Sequence, residues 1–196
     1  MKLTKVLSVH VVALLPQGAT DLNVSLPVQT AGLVGIGLLY LETQHRRMSD
    51  ILLSQISNKI SYNDRLVVDE GYRLAAGIAL GYTNLGKGNH LKGLNDTHIT
   101  DQLLSMAVSL KDMQGDQEYD KSAPGAIIAL GFIYLRTNNY NIAYKLMVPE
   151  TEKLLDYIRP DLLLLRIVVK NMILWNDVQE TKSWVKSQVP KCLTQK

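Results

Sequence analysis

Cysteine is nearly absent. Cys192 stands alone, which rules out an internal disulfide and any multi-cysteine zinc site and suits a reducing compartment, so nucleus and cytoplasm are the expected locations. Neither sign of charge is in excess: 21 basic and 18 acidic residues leave a formal net charge of +3, too small and too evenly spread for an electrostatic grip on DNA or RNA. Long apolar runs are missing too. Residues 31–41 are too few for a bilayer, which takes about 18–20 apolar positions. The run 162–175 is broken by Arg166 and Lys170, four apart and so on one helical face, as in a buried helix with a wet stripe. Residues 1–19 have the outline of a secretion signal, with Lys2 and Lys5 ahead of an apolar stretch, but His10 interrupts it and the segment reads equally well as an amphipathic first helix. A soluble protein is expected, with neither membrane nor nucleic acid as partner.

What is present is ordinary in amount and unusual in arrangement. Hydrophobic residues make up 46% and charged residues 20% of 196, enough for one domain or a run of small stacked repeats. Three segments, 31–43, 75–87 and 125–137, align without gaps. Gly37, Gly81 and Gly131 share a column; Gly35, Ala79 and Ala129 share a small one; Leu41, Leu85 and Leu135 share another. The spacing is 44 residues (81 − 37) and then 50 (131 − 81), within the range of helical arrays. Glycine inside a helix costs about 1 kcal/mol relative to alanine, so a glycine column implies close helix approach. The small residues are expected to form one groove per helix for a neighbour, with the large apolar residues on the other face. Leucine at Gly81 should then overpack the seam, whereas alanine should change little.

Helices are expected at about 3–15, 29–41, 46–57, 70–85, 100–110, 124–136, 139–147, 150–158, 161–176 and 180–188. Pro124, Pro149 and Pro160 suit first turns, and 57–69 and 111–122 read as long polar loops. Each repeat is a helical hairpin, with clear repeats near 29–57, 70–110 and 124–147, part of another in 1–15, and a helical C-terminal segment over 149–188.

These segments resemble the proteasome/cyclosome repeat, whose core runs small-small-apolar-apolar-small-Leu-Gly into an apolar helix end and a Gly/Thr/Asn-rich turn. The residues between them resemble one branch of that family, the largest scaffold subunit of the anaphase-promoting complex. The likeness lies in 7–16, in Val34-Gly-Ile-Gly37 with the His45-Arg46 turn, in 154–166, in Ile173-Leu-Trp-Asn-Asp177 and in Trp184-Val185. It covers nearly the whole chain. The resemblance implies an all-α fold of helical-hairpin repeats, forming a curved solenoid or part of a toroid. It also implies a non-catalytic scaffold in a multisubunit ubiquitin ligase of mitosis, whose partners are the other subunits, with no cofactor or small-molecule substrate. Three clear repeats are too few for the family's ring, so a fragment of a larger scaffold is expected. The other branch, scaffold subunits of the proteasome regulatory particle, shares the repeat and is the alternative.

The remaining motifs are weak. Gly81-Tyr-Thr-Asn-Leu-Gly86-Lys87-Gly88 imitates a phosphate-binding loop and would serve a small nucleotide-binding enzyme, but Gly88 replaces the Ser or Thr that holds magnesium, and helix precedes the motif where a strand is required. His10, His45, His90 and His98 include no pair at helical metal-site spacing. Asp112, Asp116, Glu118 and Asp120 lack a calcium-loop spacing and read as a solvated loop. His45-Arg46-Arg47 reads as a solvated basic turn, and no nucleophile signature is present. No catalytic, cofactor or metal residue is therefore assigned. The site residues are those of repeat packing: Gly35, Gly37, Ala79, Gly81, Ala129 and Gly131.

Overall fold

The computed structural model describes residues 2–15, 24–57, 60–62, 65–67, 69–91, 97–108 and 121–194. The helices are α1 (Lys2–Ser8), α2 (Leu26–Leu39), α3 (Arg46–Ser57), α4 (Glu70–Thr83), α5 (Ile99–Val108), α6 (Ala123–Ile133), α7 (Tyr140–Lys145), α8 (Glu152–Leu155), α9 (Pro160–Ile173), α10 (Lys182–Ser187) and α11 (Lys191–Thr194). Side chains and prolines fix where they start. Asp69 Oδ1 accepts from the Tyr72 amide at 2.7 Å, Asn139 Oδ1 from Ile142 at 3.1 Å, and His45 Nδ1 from Met48 at 3.3 Å. Pro27, Pro124 and Pro160 occupy first turns, where a missing N–H is harmless.

An inner row of helices, α2, α4, α6 and α9, packs side by side in that order, with α1 on the free flank of α2. The outer helices interlock successive hairpins: α3 packs on α4, α5 on α6, and α7 on α9. Flanked on two sides, the inner helices cannot be simply amphipathic. Accordingly α2 and α6 contain no charged residue at all. The core joins small and aliphatic side chains of this row, among them Leu33, Ala79, Leu80, Ala129, Leu130 and Val169, to Leu52 and Ile56 of α3 and Leu103 of α5, all of them buried.

The turn after each inner helix caps the next one. Glu42 and Gln44 donate their amides to Tyr82 O and Thr83 O at 2.9 and 3.0 Å; Gly86 donates to Phe132 O at 2.9 Å; Arg136 and Asn138 donate to Met172 O and Ile173 O at 3.0 Å each. Carbonyls at a helix C-terminus have no partner within the helix, so the preceding repeat satisfies them. These bonds also bring the C-termini of α2, α4, α6 and α9 to one end of the row, making the helices parallel. To aim the amides, Glu42, Gly86 and Arg136 take left-handed φ values of 58°, 66° and 56°. Only one of the three is glycine. A non-glycine residue there is strained by about 1–2 kcal/mol, whereas glycine loses more chain entropy. Glu42→Gly is therefore expected to stabilise the chain by up to about 1 kcal/mol, read as a raised Tm, despite loss of the exposed Glu42–Lys87 ion pair.

Differences from the sequence expectations have local causes. The first helix stops at Ser8 instead of running to 15, and a 3-10 turn follows at Val12–Leu14. Val9, Val11 and Val12 are β-branched poor helix formers, and Val11 turns inward with no exposure. The 57–69 loop contains an antiparallel hairpin, β1 (Ile60–Tyr62) with β2 (Arg65–Val67), Ile60 facing Val67. Its residues are strand formers, and Asn63-Asp64 between them are turn types. Helices expected to reach 85 and 136 end at Thr83 and Ile133 because the capping turns start there. Pro149 lies ahead of α8, not in its first turn. The acidic segment expected over 111–122 lies, up to Asp120, outside the described residues.

Burial also carries a pH consequence. Tyr72, 1% exposed, donates its hydroxyl to Gln55 Oε1 at 3.0 Å, and burial pushes its pKa up to about 12. The folded state thus holds this proton where the unfolded chain releases it. Stability is full below the ordinary tyrosine pKa of about 10 and should fall by roughly 2 kcal/mol as pH rises toward 12. Tyr72→Phe should flatten that loss in alkaline urea melts.

Candidate docking surface

The small-residue columns are where the array is held together. A methyl placed on Gly37 would sit 2.5 Å from Ala79 Cα, and one on Gly131 would sit 2.9 Å from a Val169 methyl. One on Gly81 would sit 2.6 Å from Phe132 Cβ. All three glycines face the next inner helix. Gly35 faces the other way, with Leu7 methyls of α1 at 3.5 and 3.6 Å from its added carbon. Ala79 meets the preceding helix through Gly37, and Ala129 is fully buried. The expectation of one groove per helix is therefore corrected. Positions two apart on a helix differ by about 200°, so the two columns serve opposite neighbours. The near-neutral expectation for Gly81→Ala is corrected as well, since even one methyl overlaps Phe132.

Two further glycines meet backbone directly. A methyl on Gly77 would strike the backbone of Gly125, 2.6 Å from its carbonyl carbon and 2.7 Å from its Cα; a methyl on Gly125 would lie 2.5 Å from Arg73 O. Gly77 aligns with Leu33 and Ile127, so no column revealed it. The fourth inner helix, α9, lacks the glycine that marks the other repeats. Its register follows from Arg136 bonding Met172 as Gly86 bonds Phe132. It places Val169 in the small column and Asn171 in the glycine column, 40 residues (171 − 131) after Gly131.

The phosphate-loop look-alike is a helix end and a capping turn. Gly81 is within α4, the Gly86 amide is bonded to Phe132 O, Gly88 lies against the Tyr134 ring, and Lys87 Nζ is 3.6 Å from Glu42 Oε2. Calorimetric titration with ATP and magnesium is expected to give no heat of binding; a stoichiometric micromolar signal lost in Lys87→Met, on a scale of about −8 kcal/mol, would contradict this. The basic turn has local duties: His45 caps α3 and stacks edge-on to Tyr40, and Arg46 is 4.0 Å from Asp50. No group of three His, Cys, Asp or Glu side chains suited to a metal ion occurs among the described residues, and no described helix is long and apolar enough to cross a membrane.

Uncovered apolar surface gathers around α9. In the preceding repeats the next inner helix covers the glycine-column side. On α9 that side is exposed at Leu164 (65%), Val168 (46%) and Trp175 (48%). With Trp184 and Val185 these line a groove of about 390 Å³. On the other side of α9, Tyr140, Tyr144, Met147 and Leu174 line a second groove of about 460 Å³. Between them a cleft of about 100 Å³ contains Arg166, Lys170, Glu150 and Lys191. Contiguous apolar surface of this kind is the usual material of docking sites.

A row of parallel inner helices sewn together by outer ones and capping turns, with apolar grooves at one end, is a helical-repeat array. The model of the anaphase-promoting complex subunit 1 (APC1) fifth domain matches residues 1–196. Over 192 residues the chain is 46% identical to a negative regulator of mitosis from Emericella nidulans, covering 96% of this chain and 9% of that protein. It is 44% identical over 189 residues to anaphase-promoting complex subunit 1 of Schizosaccharomyces pombe, covering 96% and 13%, and 39% identical over 213 residues to the Homo sapiens subunit, covering 98% and 11%. The chain belongs to the anaphase-promoting complex subunit 1 family, as its fifth domain, and spans about a tenth of the length of these relatives. The proteasome branch gives way to this one.

Proposed function

We propose that the chain serves as a non-catalytic scaffold within an anaphase-promoting complex, a ubiquitin ligase of mitosis, and acts in nucleus and cytoplasm by holding other subunits of that complex. One observation carries the reading: the repeat motifs engage their own neighbours, while the grooves along α9 leave large apolar side chains open to a partner. The ligase chemistry then belongs to other subunits. Relatives named as subunits of this complex support the assignment. Affinity purification of the tagged chain from dividing cells tests it. Anaphase-promoting complex subunits are expected in the eluate; proteasome subunits in their place would overturn the proposal.

A further inference from the structure

The cleft between the two grooves holds two cations, Arg166 and Lys170, that no carboxylate among the described residues pairs. Arg166 is 4% exposed, yet it makes one hydrogen bond, from Nη2 to Ala107 O at 2.6 Å, and its Nε has no partner. A guanidinium has five N–H donors, and the buried one on Nε meets no acceptor. One helical turn on, Lys170 Nζ is half-buried and bonded only to the neutral Gln188 Oε1 at 2.9 Å. Burial alone pushes both below their ordinary pKa values. Among the described residues neither forms an ion pair. Glu150, at the rim, is the one acid lining the cleft. Burying a cation without a counter-charge is costly, and the cost is recovered when an anion arrives.

We propose that this cleft receives the carboxylate of an aspartate or glutamate on a partner polypeptide, whose adjoining apolar residues lie in the groove of Tyr140, Tyr144, Met147 and Leu174. About 100 Å³ suits the end of one acidic side chain and not a ring or nucleotide. The planar guanidinium edge matches a carboxylate's two oxygens. Continuity points to a peptide: the cleft and the groove share Met147 and Lys170. The inference deepens the docking role proposed above by stating the chemistry of one contact.

The test uses the full chain with ¹⁵N-labelled arginine, the Arg166 Nε resonance being assigned by its absence in Arg166→Met. The probe is a blocked tetrapeptide with one aspartate among leucines, compared with its asparagine and phosphoserine counterparts. The aspartate peptide is expected to shift the Arg166 resonance saturably, the asparagine peptide not to, and Lys170→Met to weaken binding by about tenfold or more. Lys191→Gln, at an exposed position, should weaken it less and guards against a folding defect at Lys170. No shift at millimolar peptide, or equal shifts with asparagine, overturns the proposal. Binding of the phosphoserine peptide alone reassigns the cleft to phosphate. A shift on neutralising Asp112, Asp116, Glu118 and Asp120, without peptide, assigns it to the chain's own acids and overturns the partner. Failure here leaves co-purification with the complex untouched, and failed co-purification leaves the titration standing.

Discussion

Gly77→Ala is expected to destabilise the chain by about 3 kcal/mol, the upper part of the range for overpacking. The added methyl meets peptide backbone: the Gly125 carbonyl carbon and Cα lie 2.6 and 2.7 Å away, and Gly125 is in turn held against Arg73 O. No side-chain rotation relieves such a clash, so α4 and α6 must separate. The gain in helix propensity, about 1 kcal/mol, is too small to compensate. Gly35→Ala is the matched control. Its methyl finds only the ends of Leu7 at ordinary contact distance, so the propensity gain should prevail and raise stability slightly. Urea melts of the two variants should therefore differ in sign.

Arg73→Ala is expected to cost at least about 3 kcal/mol. Arg73 is fully buried on α4 and ties three helices together: Nη1 donates to Ser122 Oγ at 2.7 Å, at the start of α6, and Nη2 donates to Ser57 O at 3.0 Å, at the end of α3. Truncation leaves the buried Ser122 hydroxyl without its donor, worth about 1–3 kcal/mol, removes the bond to the Ser57 carbonyl, and opens a cavity besides. Arg73→Lys should recover only part of the loss, because one ammonium cannot reach both acceptors in the geometry of the fork. Thermal melts of the three proteins check the order.

The array was legible where the residue type had no second explanation. Glycine at 37, 81 and 131 weakens a helix unless something comes close, and in each case something does. The direction of that approach was also in the numbering, since 35 and 37 differ by about 200° on a helix, but alignment columns invite reading them as one face. Gly77 was hidden because its tight contact occurs in one repeat only. The fourth inner helix escaped because Asn171 and Val169 fill positions where glycine and alanine had been the signal. Arg166 and Lys170 were legible as a pair on one face, yet they read as a wet stripe. The structure buries Arg166, because the end of α5 and the segment after α10 close over that side of α9. Burial of this kind comes from elements distant in sequence, and local periodicity carries no record of it.

The most direct measurement is co-purification of anaphase-promoting complex subunits with three tagged forms from dividing cells: the unaltered chain, Gly35→Ala and Gly77→Ala. If docking depends on the tightly packed inner row, the first two should retain the subunits and Gly77→Ala should lose them at equal expression. Retention by Gly77→Ala at the level of the unaltered chain, or absence of those subunits from all three, would contradict the account.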